Sequence, residues 1–99
     1  MELRYPWIKL ESPELFEAQL TKEVHREHLL FAVPAKAIAR VYGDDDYLFS
    51  LLDGSGRVAV VHLSFGESVG PEWPWTTLYS DLAEWESKRM LTDNAAFKP

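Results

Sequence analysis

The chain has 99 residues, 16 acidic against 10 basic, a net charge of -6 at pH 7, and no cysteine. That length is one domain, and 46% hydrophobic with 13% aromatic residues suffices for a single core, which excludes disorder for the body of the chain. Disulfides, thiolate chemistry and cysteine-ligated zinc are excluded, and the acidic balance disfavours nucleic acid and anionic membranes, which attract clustered Lys and Arg.

Residues Pro6-Trp7-Ile8-Lys9-Leu10 read as an extended lead-in. Ser12-Pro13 marks a helix start, with serine at the N-cap and proline at the first helical position. Phe16, Leu20 and Val24 recur every four residues with Leu15 beside them, which predicts a helix over about 13–26. Beyond Pro34, residues 35–42, 47–52 and 57–65 predict three strands, separated by the turns Gly43–Asp46 and Asp53–Gly56. A glycine-flanked loop, Gly66 to Gly70, leads into Pro71-Glu72-Trp73-Pro74-Trp75. Asp81 and Glu84 have capping-box spacing and open a second helix over about 82–91, with Leu82, Trp85 and Met90 inward. Residues 94–99 read as a flexible C-terminal tail.

This order predicts one α+β domain over residues 1–93: a three-stranded antiparallel β-meander flanked by an N-terminal and a C-terminal helix, α-β-β-β-α, with room for a short extra strand at 5–10 or 29–33. Four-residue turns would pair Tyr42 with Tyr47 and Leu52 with Arg57. That register places Ala37, Ala39, Leu48, Ser50, Ala59, Val61 and Leu63 on one face. Ile38, Arg40, Tyr42, Tyr47, Phe49, Leu51, Val58, Val60 and His62 fall on the other, which is too apolar to stay wet. A slip of one residue would exchange side chains between the faces.

Each candidate site has a structural reading beside the functional one. His62 lies mid-strand, as a general base or as a histidine bonded within the sheet; Glu72 and Arg40 would join it only if the loop folds back. His25 and His28 are three apart, spaced for a metal pair or for the cationic end of a helix. Asp44-Asp45-Asp46 offers cation ligands or a solvated turn. Lys88 and Arg89 read as helix-end cations. No hydrolase, zinc-protease or nucleotide-binding fingerprint is present, so neither a metal nor a cofactor is expected. Trp73 and Trp75 are the strongest binding candidates, because Pro74 stiffens them and tryptophan anchors interfaces. We expect them to divide, one indole in the core and one exposed.

Two function classes follow. The first is a non-enzymatic protein-interaction module that meets a protein partner or associates with itself, as a homodimer for example, through the apolar sheet face or the tryptophan segment. The alternative is a small hydrolase or metal-dependent enzyme using His62 with Glu72 or the Asp44–Asp46 turn. With no basic-then-apolar leader and no apolar run near the ~20 residues of a membrane span, a soluble cytoplasmic protein is the expectation.

Several local sequences together carry a resemblance. They are Val60-Val61-His62-Leu63-Ser64-Phe65, Trp73-Pro74-Trp75-Thr76, Leu78-Tyr79, Arg89-Met90 with Asp93, and the acidic turn before Leu48-Phe49. Over residues 28–93 the chain resembles a family of small bacterial proteins of similar length and unknown function. The resemblance implies a bacterial origin and assigns no catalytic role to any residue.

Overall fold

The computed structural model describes residues 2–97, and in it five strands form one antiparallel sheet in sequence order. The elements are β1 (Trp7–Lys9), α1 (Pro13–Glu23), β2 (Ala35–Val41), β3 (Asp46–Leu51), β4 (Val58–His62), β5 (Thr76–Tyr79), α2 (Leu82–Trp85) and α3 (Leu91–Ala96). A π-helical segment, Glu86–Met90, joins α2 to α3 without a break in helical dihedrals.

The three-stranded meander is therefore too small by two edge strands. β1 falls within the optional 5–10 strand, and three residues are too few to carry a period-two signal. β5 was not foreseen because Thr76-Thr77-Leu78-Tyr79 has no buried, alternating apolar face. Residues 29–33 form turns, not a strand.

The register also differs from the expected one. Ser50 pairs with Val58 and Tyr47 with Val61, one residue away from the four-residue-turn alignment. The turn takes in Leu52 as a fifth residue, and Gly54 and Gly56 supply its left-handed positions at φ 82 and 77. That slip moves Val58, Val60 and His62 to the side of Leu48, and Ala59 and Val61 to the side of Tyr47 and Phe49. A β-bulge between Ala37 and Ala39 makes these two alanines face opposite sides.

Two apolar cores result, one on each face. Under α1, Leu20 and Phe16 pack on Tyr47, Phe49, Leu51, Ala59, Val61 and Leu63. Under the C-terminal helix, Trp7, Trp85 and Met90 pack on Leu48, Val58 and Val60. Trp7 and Trp85 meet edge to face at 5.0 Å. The Trp85 indole N–H is buried without an acceptor among the described residues, a cost of about 1–3 kcal/mol that burial of the ring offsets. Both sheet faces are thus covered within the chain, which removes the apolar sheet face as a self-association surface.

The helix ends follow their local chemistry only in part. α1 stops at Glu23, and Val24 is extended. Ser12 stands at the N-cap position but adopts a left-handed backbone, φ 53, and its hydroxyl caps nothing. Leu15 points outward and is exposed. Asp81 does cap, accepting from Glu84 N–H at 2.8 Å, while Glu84 reaches back to Ser80 N–H instead of Asp81. Of the expected tail, Asn94–Ala96 belong to α3 and Asn94 donates to Tyr5 O at 2.7 Å; Lys98 and Pro99 lie outside the described residues.

Candidate functional site: an aspartate–histidine pair beside two stacked tryptophans

Cross-strand register assembles the site. Asp46 stands opposite His62 on β3 and β4, and His62 N–H donates to Trp75 O at 2.9 Å just before β5 begins. Side chains opposite one another share a face, so Asp46, His62 and Trp75 form one row across the sheet. The row behind it is Leu48, Val60 and Thr77. The C-terminal helix packs over Leu48, Val58 and Val60 and leaves the end of this face at Asp46, His62 and Thr77 open. The opening is a cleft of about 450 Å³ lined by Asp46, Val60, His62, Trp73, Trp75 and Thr77.

Trp73 and Trp75 do not divide as expected. Their rings stack face to face, 4.9 Å apart and 10° from parallel, and both remain open to solvent, at 39% and 63% exposure. The chain turns at Gly70–Trp73 and bends at the buried Pro74, and both indoles come to line the cleft. His28 holds the segment from below. Its Nδ1 accepts Leu30 N–H at 3.0 Å, so Nε2 carries the proton and donates to Pro74 O at 2.9 Å. Both nitrogens of His28 are occupied, and His25 accepts Glu27 N–H outside any helix, so the two do not form a metal pair.

A chain of charged groups fixes Asp46. His62 Nδ1 donates to Asp46 Oδ1 at 2.7 Å, and Arg89 donates to Oδ2 at 2.8 Å. Arg89 also donates to Asp93 at 2.7 Å, and Trp7 Nε1 donates to the same Asp93 oxygen at 2.8 Å. The Arg89 guanidinium lies over the Trp7 ring, 5.3 Å from its centroid. The π-helical segment carries Arg89 and Met90 together, so Met90 enters the core while Arg89 reaches across to β3. Burial alone would push the Asp46 carboxyl up, but the hydrogen bonds from Arg89 and His62 outweigh it and hold Asp46 below the ordinary aspartate value. The hydrogen bond to Asp46 raises His62 above the ordinary histidine value, against partial desolvation. The result is an ionised Asp46 and a His62 ring oriented by one nitrogen, with Nε2 free of hydrogen bonds among the described residues.

The other sequence candidates go elsewhere. Glu72 lines a separate depression with His28, Pro71 and Trp75. Arg40 lies on the α1 face over Tyr47, 4.9 Å from the ring centroid. Asp44 does approach the site: its carboxylate, that of Asp46 and the His62 ring offer ligand atoms all within 4.8 Å of one another. Arg89, Asp93 and Trp7 are the participants that sequence reasoning missed. The Arg89–Asp93 spacing of four on a helix was the available signal. A larger groove of about 610 Å³ lies beside α1, but its one ionisable lining residue, Glu17, is taken up by Ala37 N–H.

Comparison with family models, with curated proteins and with solved structures gives no match. Nothing in these comparisons indicates a family of bacterial proteins. No helix among the described residues is long and apolar enough to cross a membrane.

Proposed function

We propose that the protein is a non-enzymatic interaction module that grips a protein partner with the Trp73–Trp75 pair. One observation carries this reading: two large indoles stack on each other in the open, lining a cleft, where the core had no need of them. Exposed aromatic surface is costly without a partner, and rigid tryptophans are strong interface anchors. One end of the cleft carries the carboxylates of Asp46 and the neighbouring Asp44. That end favours a partner whose contact segment is basic.

The test is affinity capture from the cells of origin with wild-type protein, Trp75→Ala, and Leu15→Ala as a control on the opposite surface. A partner retained by wild type and Leu15→Ala, lost with Trp75→Ala, and released by moderate salt supports the reading. Sedimentation of the purified protein at rising concentration asks whether the partner is a second copy. If Trp75→Ala neither loses a partner nor alters self-association, the module reading fails.

The Asp46–His62 pair favours a second reading, a small hydrolase with His62 as general base. Thr77 offers the one hydroxyl in the cleft, so the attacking group would be water or that threonine. Hydrolysis of a simple ester or phosphoester panel that disappears in His62→Gln would support it. Turnover equal in both proteins would reject it.

A further inference from the structure

We propose that Asp44, Asp46 and His62 form a binding site for a divalent transition-metal ion, zinc by its ligand chemistry, at the acidic end of the tryptophan cleft. The inference is independent of the partner reading and departs from the sequence expectation of no metal.

The spacing comes first. The three groups present ligand atoms within 4.8 Å of one another. Zinc–ligand bonds of about 2.0–2.2 Å set neighbouring tetrahedral ligand atoms roughly 3.3 Å apart. Asp46 Oδ1 and His62 Nδ1 stand at 2.7 Å and need to open slightly, and Asp44 offers its carboxylate within 4.8 Å of both. Asp44 and His62 are exposed and Asp46 is half-buried, so these are side-chain rotations that leave the sheet intact.

The ligand types come second. One imidazole with two carboxylates suits zinc or a neighbouring transition ion and leaves one tetrahedral position open. Calcium would require six to eight oxygens, and magnesium a near-ideal octahedron; neither is present here. The ion replaces the Asp46–His62 hydrogen bond. The neutral ring moves its proton from Nδ1 to Nε2, which is free, and gives Nδ1 to the metal. Asp44 accepts Asp45 N–H with Oδ1 alone and keeps Oδ2 for the ion.

The surroundings come third. A metal-binding carboxylate is normally oriented by a partner on its other oxygen. Arg89 holds Oδ2 of Asp46 and leaves Oδ1 turned toward His62. The positive charge of Arg89 would oppose a second cation were it unbalanced, but Asp93 contacts it at 2.7 Å and is itself fixed by Trp7. This is more support than an acidic hairpin turn needs, because a solvated turn has no use for a half-buried arginine behind it.

The test is isothermal titration of chelator-treated, desalted protein with zinc chloride, with cobalt(II) absorption as the spectroscopic readout. One equivalent should bind saturably. His62→Ala and Asp44→Asn, both at exposed positions, should each weaken binding about tenfold or more. His25→Ala should bind as wild type, and excess magnesium should not compete. Circular dichroism confirms that each variant is folded. No saturable uptake up to about 1 mM zinc would overturn the proposal. So would equal affinity in wild type and His62→Ala, or loss of binding in His25→Ala. Trp75→Ala should bind zinc normally, so failure of the metal site and failure of the partner reading are told apart.

Discussion

The two faces of the sheet bury charge in opposite ways. On the α1 face, Glu23 is 2% exposed and accepts from Gln19 Nε2, Ser64 N–H, Ser64 Oγ and Phe65 N–H, at 2.8 to 2.9 Å. Its carboxylate satisfies the backbone where the chain leaves β4, and Gln19 ties Gly66 O to the same helix. Nothing is left over. On the other face, Arg89 satisfies Asp46 and Asp93, yet the network ends in groups with unused capacity: His62 Nε2, the exposed Asp44 and two open indoles. A buried charge that consumes all its partners latches a fold, whereas one whose network surfaces in a cleft equips a site.

The largest effect should come from cutting the latch. Glu23→Ala strands two backbone N–H groups and is expected to cost about 3 kcal/mol, lowering Tm by roughly 12–24 °C in a thermal melt followed by circular dichroism. Glu23→Gln should recover part of that loss. If Glu23→Ala melts like wild type, the contrast between the faces is not energetic.

Removing the arginine of the opposite network should matter less. Arg89→Met leaves Asp46 and Asp93 partly buried without their shared cation, for about 2 kcal/mol. A double-mutant cycle with Asp46→Asn should give less than the sum of the single losses, because both changes break one network. Strict additivity would mean that Asp46 and Arg89 do not act together.

The cleft wall should be nearly silent in stability. Trp75→Ala is expected to change unfolding free energy by less than about 0.5 kcal/mol in urea, while partner affinity falls at least about tenfold. A stability loss comparable with Glu23→Ala would place Trp75 in the core and return the tryptophan pair to a packing role.

The smallest effect belongs to the hairpin at Asp53, remote from both networks. The Ser55 hydroxyl, then the Ser55 N–H and Arg57, lower its carboxyl to about 2. A depressed carboxyl contributes stability that is present above the unfolded value of about 3.9 and lost as pH falls through the folded value. Nuclear magnetic resonance should find the Asp53 midpoint near the lower value in wild type and closer to the ordinary one in Ser55→Ala. Melting of Asp53→Asn near neutral pH should show a loss close to the detection limit, since solvent screens the interactions of this surface group.

Much of the scaffold was legible along the chain. The α+β class, the three central strands, the first turns of both helices and the inward set Leu82, Trp85 and Met90 follow from short-range periodicity, from Pro13 at the start of α1 and from the Asp81 cap of α2, which neighbours in sequence carry between them. The edge strands were less legible: β1 was foreseen only as an optional strand at 5–10 because it is so short, and β5 was missed because it is too polar for a pattern to register. Register was decided only in three dimensions: Tyr47 pairs with Arg40 instead of Tyr42, one extra residue enters the Leu52–Gly56 turn, and a bulge between Ala37 and Ala39 turns part of β2 over.

The site divides along the same line. His62, Trp73, Trp75 and the acidic turn stood out by residue type alone. Their assembly was legible only as alternatives: His62 was paired with either Glu72 or the Asp44–Asp46 turn, and the structure seats Asp46 there with Arg89, which was not foreseen, and Glu72 in a separate depression. The sequence determined which side chains were chemically able to form a site, because that is a property of each residue and its near neighbours. Tertiary structure decided which of them meet. Asp46 and His62 are sixteen positions apart and Arg89 a further twenty-seven, and only strand pairing and the crossing of the C-terminal helix bring such distant positions within hydrogen-bond reach.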